Sequence, residues 1–281
     1  METKYTYELA LKLKKEYDSG MSQPELDEKY KIRSYWLFKK FNLKCRKSSE
    51  TREIFRKTTI QLSWNFDSVS EEWHAYILGF LLSDGYHNGS QVGFAQSIKE
   101  IDYITQLKDL FSKDIKITTW KNKCGFKISS KVACDNLSKL GLVPNKTHKE
   151  LHIPNMDEQF LRHFIRGYFD GDGTIFVCTV KGIPKYLKGN ICSPTENILK
   201  ELQEILLKYG IESTINKEKR MGKIMRSPSG YITCSQDMYR LFFRKKASIL
   251  KLYDFLYKDA TIYMPRKKKI FDDNFSMMIP R

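Results

Sequence analysis

The sequence predicts an α+β protein: two pseudo-symmetric αββαββα repeats packed through a central pair of helices, preceded by a small all-α helix-turn-helix domain. Three observations carry this. The pattern Gly-x4-Asp-Gly occurs twice, as Gly79…Asp84-Gly85 and Gly167…Asp172-Gly173, with its aspartates 88 residues apart (172 − 84). Behind each copy the hydrophobic period changes in the same order, alternating as in strands and then spaced as in helices. The first sixty residues carry short helical patterns punctuated by strong start and stop signals.

The N-terminal domain is expected over residues 1–62, including a basic arm. Tyr5, Leu9, Leu13 and Tyr17 fall at helical spacing, and Ser19-Gly20 ends that helix. Ser22 as cap, Pro24 in the first turn and Glu25 closing a capping box start a second helix, which stops near Tyr30. A third begins around Ser34 and turns Leu37 and Phe41 inward. From Lys31 to Lys57 ten basic residues stand against two acids, half of the chain's whole positive excess. Such a third helix would set Arg33, Ser34 and Tyr35 at base edges in a major groove, with Lys39 and Lys40 behind them. The Lys44–Arg56 arm, with Arg46 and Lys47, would follow phosphates or enter a minor groove.

The first repeat is expected over residues 70–155 and the second over 156–281. Repeat one reads as the Gly79 helix, a strand pair ending at Gln96, a helix over Glu100–Phe111, strands over Ile115–Lys121 and Phe126–Ser130, and a helix from Lys131 to Leu140. Repeat two reads as the Gly167 helix, strands around Thr174–Val180 and Tyr186–Cys192, and a helix over Thr195–Tyr209. Strands around Ser213–Lys217 and Tyr231–Ser235 follow, then a helix through Met238–Leu256. A glycine inside a helix costs about 1 kcal/mol relative to alanine and signals close approach by a neighbour. Gly79 and Gly167 therefore let their helices pack tightly on each other. An aspartate in a last helical turn also opposes the helix dipole by about 0.3–1 kcal/mol. Bringing two such ends together makes their carboxylates repel, which is poor for stability and good for holding divalent cations.

Composition sets the outer limits. The chain has 281 residues, 49 Lys+Arg against 33 Asp+Glu, a net charge of +16, and is 41% hydrophobic and 13% aromatic. Enough apolar material is present for a sizeable core, which excludes a disordered basic tail. The charge points to a polyanionic partner, nucleic acid first and an anionic membrane surface second. No apolar run approaches the ~18–20 residues of a membrane span, and no signal segment follows the N-terminus. Six cysteines without a C-x-x-C pair fit reduced thiols in a cytoplasmic setting, whether bacterial, phage or organellar. His74, His87, His148, His152 and His163 form no metal-ligand spacing, and His87 reads as a polar loop residue.

The paired segments AYILGFLLSDGY (75–86) and FIRGYFDGDGTI (164–175) resemble the motifs of single-chain LAGLIDADG homing endonucleases. GLVPNKTHKELHIP and FLYKDATIYMPRKKKIF resemble the segments that close each repeat in that family. Copy one has Leu82 where copy two has Asp170, which suggests that this earlier acid is dispensable. The resemblance implies that Asp84 and Asp172 are catalytic and bind Mg²⁺, with help from the carbonyls of Ser83 and Gly171. It implies that Gln96 arranges the attacking water and that Lys146 lies near the scissile phosphate. In repeat two the glutamine place falls at Ser193, and the lysine place at Lys267 or Arg266. One aspartate per repeat gives one cut per strand, hence a double-strand break in duplex DNA.

DNA reading would fall to alternate strand residues. Candidates are Lys116, Thr118, Trp120 and Lys127 in repeat one, and Lys217, Lys219, Arg220, Lys223 and Arg226 on a hairpin tip in repeat two. The expected state is a monomer with an internal pseudo-two-fold, without membrane or small-molecule substrate. An RNA-splicing maturase and a catalytically silent DNA-binding regulator remain open on the same scaffold.

Overall fold

The computed structural model describes residues 5–47, 60–144, 146, 149–227 and 230–279. The chain divides into two compact units, Met1–Gln61 and Leu62–Arg281. Among the described residues no helix is long and apolar enough to cross a membrane. The outer part of the expected basic arm, with Arg52, Arg56 and Lys57, lies outside the described residues, as does His148.

The first unit holds helices α1 (Tyr7–Asp18), α2 (Gln23–Tyr30) and α3 (Ser34–Lys40). The Ser22/Glu25 capping box forms in both directions, and Lys31, left-handed at φ 53°, ends α2. Ala10, Leu13, Tyr17, Leu26, Ile32, Leu37 and Phe38 make the core. Tyr5, expected to face inward, is exposed. Tyr5 precedes α1, whose buried residues are Ala10, Leu13 and Tyr17.

The second unit is organised by α4 (Glu72–Ser83) and α7 (Glu158–Asp172), packed directly on each other. Residues 74–82 of α4 are all buried, as befits a helix enclosed on every side. Behind α4 run β1 (Tyr86–His87), β2 (Gln91–Ser97), α5 (Ile101–Phe111), β3 (Thr118–Trp120), β4 (Lys123–Ser129) and α6 (Lys131–Lys139). Behind α7 run β5 (Gly173–Val180), β6 (Ile183–Ser193), α8 (Glu196–Lys208), β7 (Thr214–Glu218), β8 (Ile224–Ser227), β9 (Gly230–Thr233), β10 (Met238–Phe243), α9 (Lys246–Tyr257) and α10 (Pro265–Asp273). The antiparallel sheets have orders β1-β2-β4-β3 and β5-β6-β10-β7, the same topology twice. One continuous core joins both repeats. Trp64 and Phe66, in the gap left between the expected domains, belong to that core, with Trp64 stacked on His74 at 4.1 Å.

The helix Pro265–Asp273 lies beyond the elements expected from the sequence, and one expected helix is in part a strand. Met238–Phe243 is a strand, not the start of a helix, and Tyr231–Thr233 belongs to the separate β8–β9 ribbon. In MYRLFF, Leu241 and Phe243 point into the core while Arg240 and Phe242 lie on the other face. So short an aromatic run fits either period, and pairing on both edges, with β6 and β7, decides for the strand.

Candidate functional site

The site begins with a backbone contact. A Cβ built on Gly79 would stand 2.0 Å from the Phe164 carbonyl oxygen, and one on Gly167 would stand 1.9 Å from that of Tyr76. Only glycine at both places allows this approach. Toward the C-terminal ends the helices stay close, since a Cβ on Gly171 would meet Ser83 Oγ at 1.8 Å and Asp84 N at 3.3 Å. Asp84 caps α4 and Asp172 is the last residue of α7, so both carboxyls emerge at one end of the pair.

Their environments differ. Asp84 is exposed, and its Oδ2 accepts a hydrogen bond from Gln96 Nε2 at 2.6 Å. Asp172 is only partly accessible, and its pKa is pushed up to about 7. Burial is the main cause and the Asp84 charge the second, opposed by Lys146 and Lys267. Strand register explains the asymmetry. Tyr86 pairs with Gly93 and Thr174 with Asn190, each two residues past its aspartate. Three residues beyond lie Gln96 and Ser193, which are therefore equivalent. Ser193 is buried, and its hydroxyl accepts from the Thr195 amide at 3.1 Å.

Two lysines close the helix ends. Lys146 Nζ donates to the carbonyls of Leu81, Leu82 and Ser83 at 2.5, 2.7 and 2.6 Å. Lys267 Nζ donates to Phe169, Gly171 and Gly173 at 2.7, 3.0 and 2.5 Å. Last-turn carbonyls have no partner within their helix and carry its negative end, so an ammonium there satisfies both needs. Burial lowers each lysine to about 8, against the pull of the nearby aspartates. Lys267, not Arg266, reaches the helix end; Arg266 Nε pairs with Glu100 Oε1 at 2.9 Å. The Ser83 and Gly171 carbonyls already accept from these lysines, which leaves each one lone pair for another partner.

The sheet surfaces sort the remaining candidates. In the first sheet Cys124, Phe126 and Ile128 face the core, while Lys123 and Lys127 stand opposite. Thr118 and Trp120 share that outer face, and Lys116 is exposed just before β3. Gly93 lies beneath the Tyr86 ring and Gly125 beneath Trp120. In the second sheet Lys217 does not join the open face. It pairs opposite Tyr239, on the side of Ile215 and Leu241, where it remains exposed and its Nζ meets Asp237 at 3.2 Å. Arg220 is also engaged, paired with Glu218 at 2.5 Å. Lys219, Lys223 and Arg226 are exposed. The open face instead presents Arg240, ion-paired with Glu218 at 2.6 Å and donating from Nη1 to Asn190 Oδ1 at 3.1 Å. Sequence reading missed Arg240 because it assigned that strand to a helix.

In the first unit Arg33, Tyr35, Lys39, Lys40 and Lys47 are exposed. Ser34 is fully buried, with its hydroxyl donating to Asp27 Oδ1 at 2.5 Å, and fastens the turn instead of offering a base contact. Arg46 stacks on Tyr17 at 3.9 Å and donates to the Met21 carbonyl at 2.6 Å, tying the chain back to its own core. Trp36, absent from the expected list, is 58% exposed beside Tyr35.

Two further expectations change. His87 is buried in β1, where Nε2 bonds the Leu142 carbonyl at 2.6 Å and Nδ1 accepts from Gly89 N at 3.4 Å. Asp170 is not a spare acid: it is fully buried and accepts three hydrogen bonds. Neither role leaves a signal in spacing alone.

Residues 159–246 match the family model described as LAGLIDADG-like domain. A reverse gyrase of Thermococcus kodakarensis is 26% identical to this chain over 159 residues, 56% of the chain and 9% of the relative. The ATP-dependent DNA helicase Hel308 of Methanocaldococcus jannaschii is 26% identical over 186 residues, 64% of the chain and 15% of the relative. The chain thus spans a small fraction of these curated relatives. Among solved structures, that of the LAGLIDADG homing endonuclease I-GzeII in complex with its DNA target is 13% identical, covering 74% of this chain and 90% of that one, with a TM-score of 0.48. The matched region holds Gly167, Asp172 and the second sheet, and its helix meets α4 where Gly167 lies against the Tyr76 carbonyl and Gly79 against that of Phe164.

Proposed function

We propose that the protein is a site-specific DNA endonuclease that cuts both strands by divalent-cation-dependent phosphodiester hydrolysis. One observation carries the reading: two carboxyls, Asp84 and Asp172, are held at the same end of a glycine-packed helix pair despite their mutual repulsion. A fold seeking stability alone would avoid that arrangement.

The donor set fits a hard cation that keeps several waters. Among the described residues no group of three or more His, Cys, Asp or Glu side chains is placed to hold a metal. Two carboxylates with adjacent carbonyls match the sparse protein ligation that Mg²⁺ accepts beside phosphate. Asp84 and Asp172 would hold it, where it would activate water and neutralise phosphoryl charge. Gln96 fixes the orientation of the Asp84 carboxylate. Lys146 and Lys267 place two positive charges at the helix ends, where they draw phosphate and lessen the repulsion between the acids. The outer face of the first sheet, with Lys116, Thr118 and Lys127, and the exposed Lys219 and Lys223 on the loop between β7 and β8 would contact the duplex. In the first unit, read as a helix-turn-helix domain, Arg33, Tyr35, Lys39, Lys40 and Lys47 would add contacts outside the cleavage site.

The test is incubation of the full chain with a library of DNA duplexes and Mg²⁺, alongside Asp84→Asn and Asp172→Asn. Each single change is expected to abolish double-strand cutting while DNA binding in Ca²⁺ survives. Binding without cutting by the unmodified chain would favour the silent regulator, and binding to a folded RNA in preference to duplex would favour the maturase. Mg²⁺-dependent cleavage by the double variant would remove the mechanism.

A further inference from the structure

Lys267 stands three residues beyond Met264, the N-cap of α10, and returns its ammonium to the end of α7. The segment leading into that helix buries Ile262 and Met264 in the core and is also tied by charged side chains of the central pair. Arg166 Nε donates to the Ile262 carbonyl at 2.8 Å, and its Nη2 pairs with Glu72 Oε1 at 2.5 Å. The same Glu72 oxygen accepts from Thr261 N at 3.2 Å. Asp170 provides the last tie: Oδ2 accepts from Met264 N and from the Tyr76 hydroxyl, each at 2.7 Å, and Oδ1 from the Tyr257 hydroxyl at 2.9 Å. Tyr76 in turn meets the Tyr103 hydroxyl at 2.7 Å.

A buried carboxylate with three satisfied donors holds its neighbours firmly, because moving any of them strands a polar group out of water. These donors come from α4, from α9 and from the turn into α10. Repeat one is built differently. Leu82 stands three residues after Gly79, where Asp170 stands three after Gly167, and it offers no acceptor. Lys146 reaches the α4 carbonyls with leucine, not aspartate, at the position equivalent to Asp170.

We propose that Asp170 is a positioning residue: by holding Met264 N–H and the Tyr257 hydroxyl it delivers Lys267 to the α7 carbonyls and so fixes the Asp172 end of the site. The assignment of Lys267 to this anchor stands on geometry; only its effect on cleavage rests on the nuclease reading.

The experiment is acetylation of the full chain with sulfo-NHS-acetate, read lysine by lysine by peptide mass spectrometry, without divalent cations. In the unmodified chain the buried Lys267 should react slowly. Asp170→Asn, which keeps the shape but weakens the acceptor, should raise the Lys267 rate about tenfold or more by releasing its local anchor. Lys146, in the other repeat, should stay within about twofold. Should Asp170→Asn fail to fold, Tyr257→Phe makes the same comparison with a smaller rise at Lys267. Equal rises at both lysines, or unchanged protection of Lys267 in the variant that folds, would overturn the assignment. The activity arm is single-turnover cleavage in Mg²⁺, expected to slow about tenfold while affinity for the duplex in Ca²⁺ holds. Absence of cleavage by the unmodified chain would sink the nuclease reading and leave the acetylation result to decide the anchor by itself.

Discussion

Replacing Asp172 by asparagine should make the protein more stable, and by an amount that depends on pH. Burial and the Asp84 charge lift the Asp172 carboxyl from 3.8 to about 7. The folded chain therefore binds a proton there more tightly than the unfolded chain does. The resulting penalty is absent below about pH 4, grows through the interval to about pH 7 and is complete above it. At about 1.4 kcal/mol per pH unit the ceiling is about 4 kcal/mol. The attraction of Lys146 and Lys267 is already contained in that net shift, and partial solvent contact reduces the penalty further. A net gain of about 1–2 kcal/mol remains, equivalent to roughly 3–6 °C for a unit of this size. Thermal melts by circular dichroism in low salt with EDTA, at several pH values between about 4.5 and 8, read it directly. The gap between variant and parent should open as pH rises. Coincident melts at about pH 8, or a gap of constant width, would refute the claim that the carboxyl is held under electrostatic stress.

Other outcomes follow from the same geometry. Gly79→Ala or Gly167→Ala drives a methyl into a backbone carbonyl and should cost about 3 kcal/mol or more in urea titration. Lys146→Met removes the donor to three helix-end carbonyls and should cost about 1–3 kcal/mol by the same measurement. Gln96→Ala frees the Asp84 carboxylate and should slow cleavage about 10–100-fold with duplex affinity intact, as seen in a single-turnover assay. Trp36→Ala and Arg33→Ala should weaken duplex binding, and only the arginine change should lower the salt dependence, by about one ion in a titration against salt concentration.

What the sequence disclosed was the repeated part. Gly79 and Gly167 announced a close helix contact because glycine there has no other use, and Asp84 and Asp172 followed at a fixed offset. The order of strands and helices came through wherever runs were long. It failed at Met238–Phe243, where six residues satisfy both periods and only the partners on either side decide. Roles set by distant partners were invisible. Ser34 and Arg46 looked like surface contacts until Asp27, Tyr17 and Met21 were found around them. Asp170 looked spare because its donors lie 94 and 87 residues away in the chain. Lys217 looked like a free contact on the strand until its pairing placed it beside Ile215 and Leu241, with its ammonium held by Asp237.

The glycine crossing has a consequence for how such a protein can change. Main chain rests on main chain there, so the spacing between the two carboxyl-bearing ends is a property of the backbone, indifferent to most side-chain substitution. On the nuclease reading, target preference is free to drift over the outer strands while the stagger between the two cuts stays constant. Evolution or engineering would then retune which sequence is opened without retuning the shape of the broken ends.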